Sequence, residues 1–290
     1  MSLLQRVHIG RRHSPPRLLV YGTEGIGKST LASQAPNPIF IPTEDGLDQI
    51  DCASFPLMRS FKDVKTALAD LLHQDHDYQT VVIDSVDWLE RLIFDALCEQ
   101  YGVTSIEKVD GGFAKGYTHA LTQWRSLLND IDLLRGQRGL CVILLAHAKV
   151  EKFEDPEHLA YDRYSPRLHK HAAALVTEWA DAVLFATRKI ITQTHETGFN
   201  RERTTASGLG KDGGERILRT IGSPACVAKN RFNLPPELPL AWPALMHGLV
   251  PPVSPTPAPT SNSTSPVPSK SQPAPSLRLV GNESTNNPQE

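Results

Sequence analysis

Gly22-Thr-Glu-Gly-Ile-Gly-Lys28-Ser29 fits the pattern G-x-x-x-x-G-K-[ST], and its flanks supply the setting that pattern needs. The apolar run Arg17-Leu-Leu-Val-Tyr21 before it reads as a strand, and Ser29 to Ala35 after it reads as a helix. Glycines let such a loop wrap an anion, with its N–H groups aimed at a β-phosphate. Lys28 then neutralises charge on the β- and γ-phosphates, and the Ser29 hydroxyl ligates Mg²⁺. The expected nucleotide-binding segment is Gly22, Thr23, Glu24, Gly25, Ile26, Gly27, Lys28, Ser29 and Thr30, with ATP and Mg²⁺ as ligands. From average composition, chance yields this pattern in about one chain in a hundred of this length.

Outward from the loop, short apolar runs alternate with helical periodicity. Pro38-Ile-Phe-Ile41, Thr80-Val-Val-Ile-Asp84, Leu140 to Ala146 and Ala182 to Ala186 read as further strands. Ser60-Phe-Lys-Asp63 is a capping-box pattern opening a helix to about Gln74. Val86 to Leu97 and Leu121 to Leu134 keep apolar residues on one helical face. Such alternation predicts a mostly parallel twisted sheet flanked by helices, and together with the phosphate loop an α/β fold of the P-loop NTPase type. After Ala186 the pattern turns to strands (Ile190 to Thr194, Arg216 to Thr220, Cys226 to Pro235) around a polar, Gly-rich stretch, Thr205 to Gly214. That predicts an antiparallel C-terminal edge. Asp84, at a strand's end, falls on the carboxyl edge where open α/β sheets bind ligands, and is the second Mg²⁺ candidate.

Composition narrows the class. Of 23 prolines, ten fall in Pro251 to Glu290 with 12 Ser/Thr and few large apolar residues, so that stretch cannot bury enough surface to order itself. The expected organisation is an N-terminal extension (1–16), a core (17–248) and a disordered tail (249–290). Within the tail, Ser276-Leu-Arg-Leu-Val280 is an apolar island, a candidate docking point for a single-strand-binding protein. No apolar run spans a membrane, the first residues lack a signal-peptide segment, and four scattered cysteines read as reduced thiols; the expectation is a cytoplasmic protein with no membrane partner. With a net charge of −2, a nucleic-acid site requires a local basic patch.

Three segments resemble RecA-type recombinases. Phe40-Ile-Pro-Thr-Glu44-Asp-Gly looks like their second-strand segment, where a Glu activates the attacking water; Asp45 is a rival for the role. Val82-Ile-Asp84-Ser85 matches their Mg²⁺-side strand, and Cys226-Val-Ala-Lys229-Asn230-Arg231 resembles a Lys-Asn-Lys segment that reaches a neighbouring subunit's γ-phosphate. The family is most similar to the short, core-only RecA-like ATPases of phages, some of them single-strand annealing recombinases. The resemblance implies a RecA-like core, a phage or prophage origin, and a self-oligomer in which Lys229 and Arg231 complete the ATP site in trans. His147 stands where the family has a γ-phosphate-sensing Gln, and Arg231 replaces the second Lys. The implied catalytic set is Lys28, Glu44, His147, Lys229 and Arg231.

In that family two loops, after the third and fourth strands, hold single-stranded DNA. The matching stretches are Val109 to His119 and Lys149 to His171. Phe113, Lys115, Tyr117, Arg163, Tyr164, Arg167 and Lys170 are the expected DNA contacts, because phosphates need cations and unpaired bases offer π-faces. The second stretch balances its five Lys/Arg with five Asp/Glu, so a lid over the nucleotide is the competing reading. Arg11, Arg12 and Arg17 form a smaller patch, read as a solvated edge. The expected function is DNA-stimulated ATP hydrolysis promoting annealing or strand pairing. An ATP-gated single-strand-binding scaffold and a DNA-independent nucleotide switch or kinase are the alternatives.

Overall fold

Alternate residues of each inner strand enter opposite hydrophobic layers. The computed structural model describes residues 14–196, 202–208 and 214–249, together with 4, 7 and 10. In β1 (Arg17–Gly22), Leu19 and Tyr21 pack into one layer while Leu18 and Val20 pack into the other. In β4 (Thr80–Asp84), Val81 and Ile83 oppose Val82 in the same way. Burial on both faces explains why these strands read as continuous apolar runs instead of alternating ones. One layer is closed by α2 (Phe61–His73), α3 (Val86–Tyr101), α4 (Lys115–Leu133) and α5 (Lys170–Trp179), the other by α1 (Lys28–Ser33) and α6 (Trp242–Leu249).

The main sheet runs β12 (Glu237–Pro239), β10 (Arg216–Arg219), β7 (Ala182–Arg188), β1, β5 (Cys141–Phe153), β4, β2 (Pro38–Pro42), β3 (Ala53–Ser54). From β7 to β3 neighbouring strands are parallel. β10 and β12 extend the β7 edge antiparallel, as the sequence predicted. Because β1 lies between β5 and β7, the chain winds to either side of it, and the crevice beyond its carboxyl end is where such sheets bind ligands. The capping box of α2 forms as read: Asp63 N–H donates to Ser60 Oγ and Ser60 N–H to Asp63 Oδ2.

Several expectations are corrected. The stretch Lys149 to His171 is no loop: β5 continues to Phe153 and turns back as β6 (Tyr161–Pro166), an antiparallel arm. Its register sets Glu151 opposite Arg163, Lys152 opposite Asp162 and Phe153 opposite Tyr161. Two pairs of its opposite charges thus face each other across the strands, a sheet-stabilising pattern. The Thr205 to Gly214 stretch is partly strand. β9 (Glu202–Gly208) pairs along its length with β8 (Ile190–Glu196), as its β-branched threonines favour. The strand expected over Cys226 to Pro235 shrinks to β11 (Lys229–Asn230), because Asn230 Oδ1 accepts from the N–H groups of Phe232 and Leu234 and turns the chain. β3, β12 and α6 were not foreseen.

Arg17 is not a solvated edge: its guanidinium donates to Asp181 (2.9 Å) and Asp132 (3.2 Å). Only Cys226 of the four thiols is fully buried, although burial pushes Cys141 up to about 12. Residues 250–290, with the Ser276–Val280 island, and Arg11 and Arg12 lie outside the described residues. No described helix is long and apolar enough to cross a membrane.

Candidate active site

The phosphate loop spans the end of β1 and the start of α1. Gly27 has φ of 107°, a left-handed conformation that costs a side chain strain, and Ile26 anchors the loop in the α1-side core. Lys28 is buried, with Nζ 3.1 Å from both the Gly22 and Thr23 carbonyls. Burial lowers its pKa, and the nearby Asp84 and Glu44 carboxylates oppose that shift. The Ser29 hydroxyl donates to Asp84 Oδ2 at 2.6 Å. Burial raises the Asp84 carboxyl, against that hydrogen bond and the Lys28 charge. Two hard oxygens thus stand side by side beneath the lysine. Among the described residues no cluster of three or more His, Cys, Asp or Glu is placed to hold a metal alone. A pair of oxygens leaving the rest of the shell to phosphates and water suits Mg²⁺.

Glu44 is placed by the residue before it. Thr43 N–H donates to the Asp84 carbonyl (2.7 Å) and its hydroxyl to the Ser85 carbonyl (2.6 Å), clamping the end of β2 against the end of β4. Glu44 therefore projects into the cavity beside Asp84, whereas the rival Asp45 sits exposed at the rim. Burial raises the Glu44 carboxyl, with His147 opposing and Asp84 adding to the rise. His147 extends the strand-end position opposite Gly22, and its Nε2 lies 3.8 Å from Glu44 Oε1. Its Nδ1 lies 3.1 Å from Asp87 Oδ2. Burial works to raise the Asp87 carboxyl, but hydrogen bonds from His147 and Arg167 outweigh it and hold Asp87 well below the usual carboxylate range. Arg167 bridges Asp87 (2.9 Å) and Glu24 of the phosphate loop (3.2 Å).

The resulting cavity, of about 390 Å³, is lined by Glu24, Gly25, Gly27, Lys28, Ser29, Thr30, Glu44, Asp84 and His147, with Leu47 and Ile50 as an apolar wall. Two residues that shape this site escaped the sequence reading: Arg216, which lines the cavity, and Asp87, buried behind His147. Asp87 follows Asp84 at i+3, a second carboxylate in the first turn of α3 that the spacing alone exposes. Arg216 opens β10 and leans over the loop, its Nη1 3.4 Å from the Ile26 carbonyl. Arg216→Ala is expected to weaken nucleotide affinity about three- to tenfold, the worth of one half-exposed charged contact, in a fluorescent-nucleotide titration.

Lys229 and Arg231 do not line this cavity. β11 pairs with Ala182 and Val183, at the end of β7 remote from the loop. Lys229 Nζ caps α5 through the Thr177, Glu178 and Ala180 carbonyls, and Arg231 pairs with Asp181 at 3.3 Å. The expected DNA contacts scatter. Phe113 is 95% exposed, on the turn before α4, while Lys115 pairs with Asp110. Tyr117 stacks flat on His169, ring centres 4.1 Å apart. On the arm, Arg163 pairs with Glu151 and lies 4.0 Å over the Phe153 ring, and Tyr164 stacks on Phe185. Lys170 lines a second, larger groove of about 500 Å³ between the arm and α5.

α3 also carries Glu90, whose Oε2 accepts the His169 N–H at 2.8 Å. Burial pushes Glu90 up to about 7 from an ordinary 4.5, despite that hydrogen bond. The fold therefore favours the protonated form, and its contribution is lost as pH rises through about 7. Glu90→Gln is expected to flatten this dependence, gaining thermal stability over the wild type as pH goes from 5 to 8. A melting-temperature series across that range checks it.

The family described as AAA domain matches residues 14–232. The chain belongs to the AAA-domain family. This AAA-domain chain is 28% identical over 172 residues to the SPbeta prophage-derived uncharacterized protein YorG of Bacillus subtilis (strain 168). That alignment covers 58% of the chain and 49% of YorG, so the chain spans about half the length of this curated relative. Among solved structures, the RadB recombinase aligns over 80% of the chain and 90% of its own, at 14% identity and a TM-score of 0.41. Loop, strand order and Asp84 together make the AAA-domain core an α/β P-loop NTPase fold.

Proposed function

We propose that this protein hydrolyses ATP with Mg²⁺ and couples the reaction to single-stranded DNA, promoting annealing or strand pairing. The observation that carries the hydrolytic part is Ser29 Oγ at 2.6 Å from Asp84 Oδ2, under Lys28 and beside Glu44, in one cavity. Ser29 and Asp84 hold the metal, which when bound neutralises phosphate charge. Lys28 holds the β- and γ-phosphates. Glu44 orients a water in line with the γ-phosphorus and accepts its proton. The arm, which continues β5 beyond His147, and the exposed Phe113 turn offer aromatics and cations to a single strand. Lys229 and Arg231, lying off their own chain's cavity, complete a neighbouring subunit's site. A chain lacking both cations is then expected to regain turnover when mixed with a Lys28→Ala chain.

A second reading has its own support: Lys115, Arg163 and Arg167 are each already paired with a carboxylate, which favours a nucleotide switch whose arm is a lid. ATP turnover and particle mass, measured with and without single-stranded DNA at low salt, separate the two. DNA raising both supports the recombinase reading; DNA changing neither leaves the switch. No turnover even with DNA, in a chain that binds ATP, sinks the hydrolytic part.

A further inference from the structure

His147 Nδ1 lies 3.1 and 3.3 Å from the two oxygens of Asp87, and the His147 backbone N–H donates to Asp87 Oδ1 at 3.0 Å. Asp87 is 4% exposed and also receives Arg167 Nε and Nη2 at 3.1 and 2.9 Å. An ionised carboxylate can only accept, so a ring proton of His147 belongs on Nδ1. In the ring that carries only this proton, Nε2 is a lone pair, and the group it faces is Glu44 Oε1, 3.8 Å away. Carboxylates face the ring from three elements: Glu44 after β2, Asp84 at the end of β4, and Asp87 on α3.

We propose that Asp87 is a positioning residue for hydrolysis: by fixing the Nδ1–H tautomer of His147, it aims a proton-accepting Nε2 at Glu44. This rests on the reading of Glu44 as the residue that orients water. In the step itself the water oxygen bonds to the γ-phosphorus as the bond from that phosphorus to the bridging oxygen breaks. The bridging oxygen keeps the electron pair and leaves on ADP. The water proton passes to Glu44 and, as the two side chains close from 3.8 Å to hydrogen-bond distance, on to Nε2, which releases it to solvent; both groups are then ready for the next turnover. An Asn at 87 would instead donate to Nδ1, moving the ring proton to Nε2 and leaving Glu44 no acceptor. The arrangement differs from a helix-capping contact in one respect: its effect must travel through the imidazole.

The test uses the full chain. In Asp87→Asn, kcat is expected to fall about 10- to 100-fold, while affinity for a non-hydrolysable ATP analogue changes by less than about twofold. In a His147→Gln background the same substitution is expected to add no further loss. Nitrogen-15 spectra of histidine-labelled protein are expected to show His147 Nε2 unprotonated in the wild type and protonated in Asp87→Asn. Equal losses in both backgrounds, or a parallel loss of nucleotide affinity, would overturn the proposal. So would an Nε2–H tautomer in the wild-type chain, a readout that needs no variant to fold. A wild-type chain without turnover sinks the hydrolytic reading instead, whereas a hydrolysing chain carrying Nε2–H sinks only this one.

Discussion

Glu44→Gln is expected to bind ATP and fail to turn it over. The amide keeps the carboxylate's shape and its place beside Asp84, so the Thr43 clamp on the Asp84 and Ser85 carbonyls is untouched. What is lost is a base within the cavity, and general-base contributions are about 10²- to 10⁴-fold. Affinity should change little or rise, because Gln removes a half-buried negative charge close to where triphosphate oxygens would lie. Single-turnover hydrolysis against equilibrium nucleotide binding reads the two separately. If Asp45 were the base, Glu44→Gln would keep most of its turnover and Asp45→Asn would lose it.

Gly22→Ala is expected to damage fold and site together. A Cβ on Gly22 would stand 2.4 Å from the Ala186 carbonyl oxygen and 3.0 Å from the Ala186 Cβ. That oxygen belongs to the backbone of β7, and on its other side Gly22 is in register with His147 of β5. Neither neighbour can swing away as a side-chain tip would, so β1 must shift between them. Overpacking of this kind costs about 1–3 kcal/mol or more. For a domain of this size each kcal/mol lowers the melting temperature by about 2–4 °C. The Gly22 carbonyl also holds Lys28 Nζ, so nucleotide affinity should drop in step with stability. An unchanged melting temperature would mean that β1 has more room beside β7 than the register allows.

What the sequence disclosed and what it hid divide along physical lines. The loop, Asp84 and the β1, β2 and β4 strands were legible because each depends on residues close in the chain: a glycine spacing, an apolar run, a terminal carboxylate. Glu44 was legible as a carboxylate just past the second strand, and by resemblance; the Thr43 clamp that fixes it was not, since it crosses between strands. Asp87 and Arg216 were missed because their significance comes from partners 60 and 190 residues away. The loop reading of the arm follows the family resemblance, whereas its strand pairing depends on partners across the hairpin, such as Glu151 opposite Arg163 and Lys152 opposite Asp162. Lys229 and Arg231 were found as cations, but their contacts to α5 and Asp181 need the folded β11 to be seen.

The central place of β1 has a consequence for how the chain comes together. The strand that bears the phosphate loop precedes both of its partners, residues 142–147 and 182–186, by a long stretch of chain. Until those emerge, Gly22 to Ser29 has no sheet to hang from, and pairing must close long loops, which slows folding. Folding begun from the β2–β4 side would leave the nucleotide cavity among the last features to form. ATP is then a ligand of the finished core, favouring completion by mass action and giving little help to the early steps.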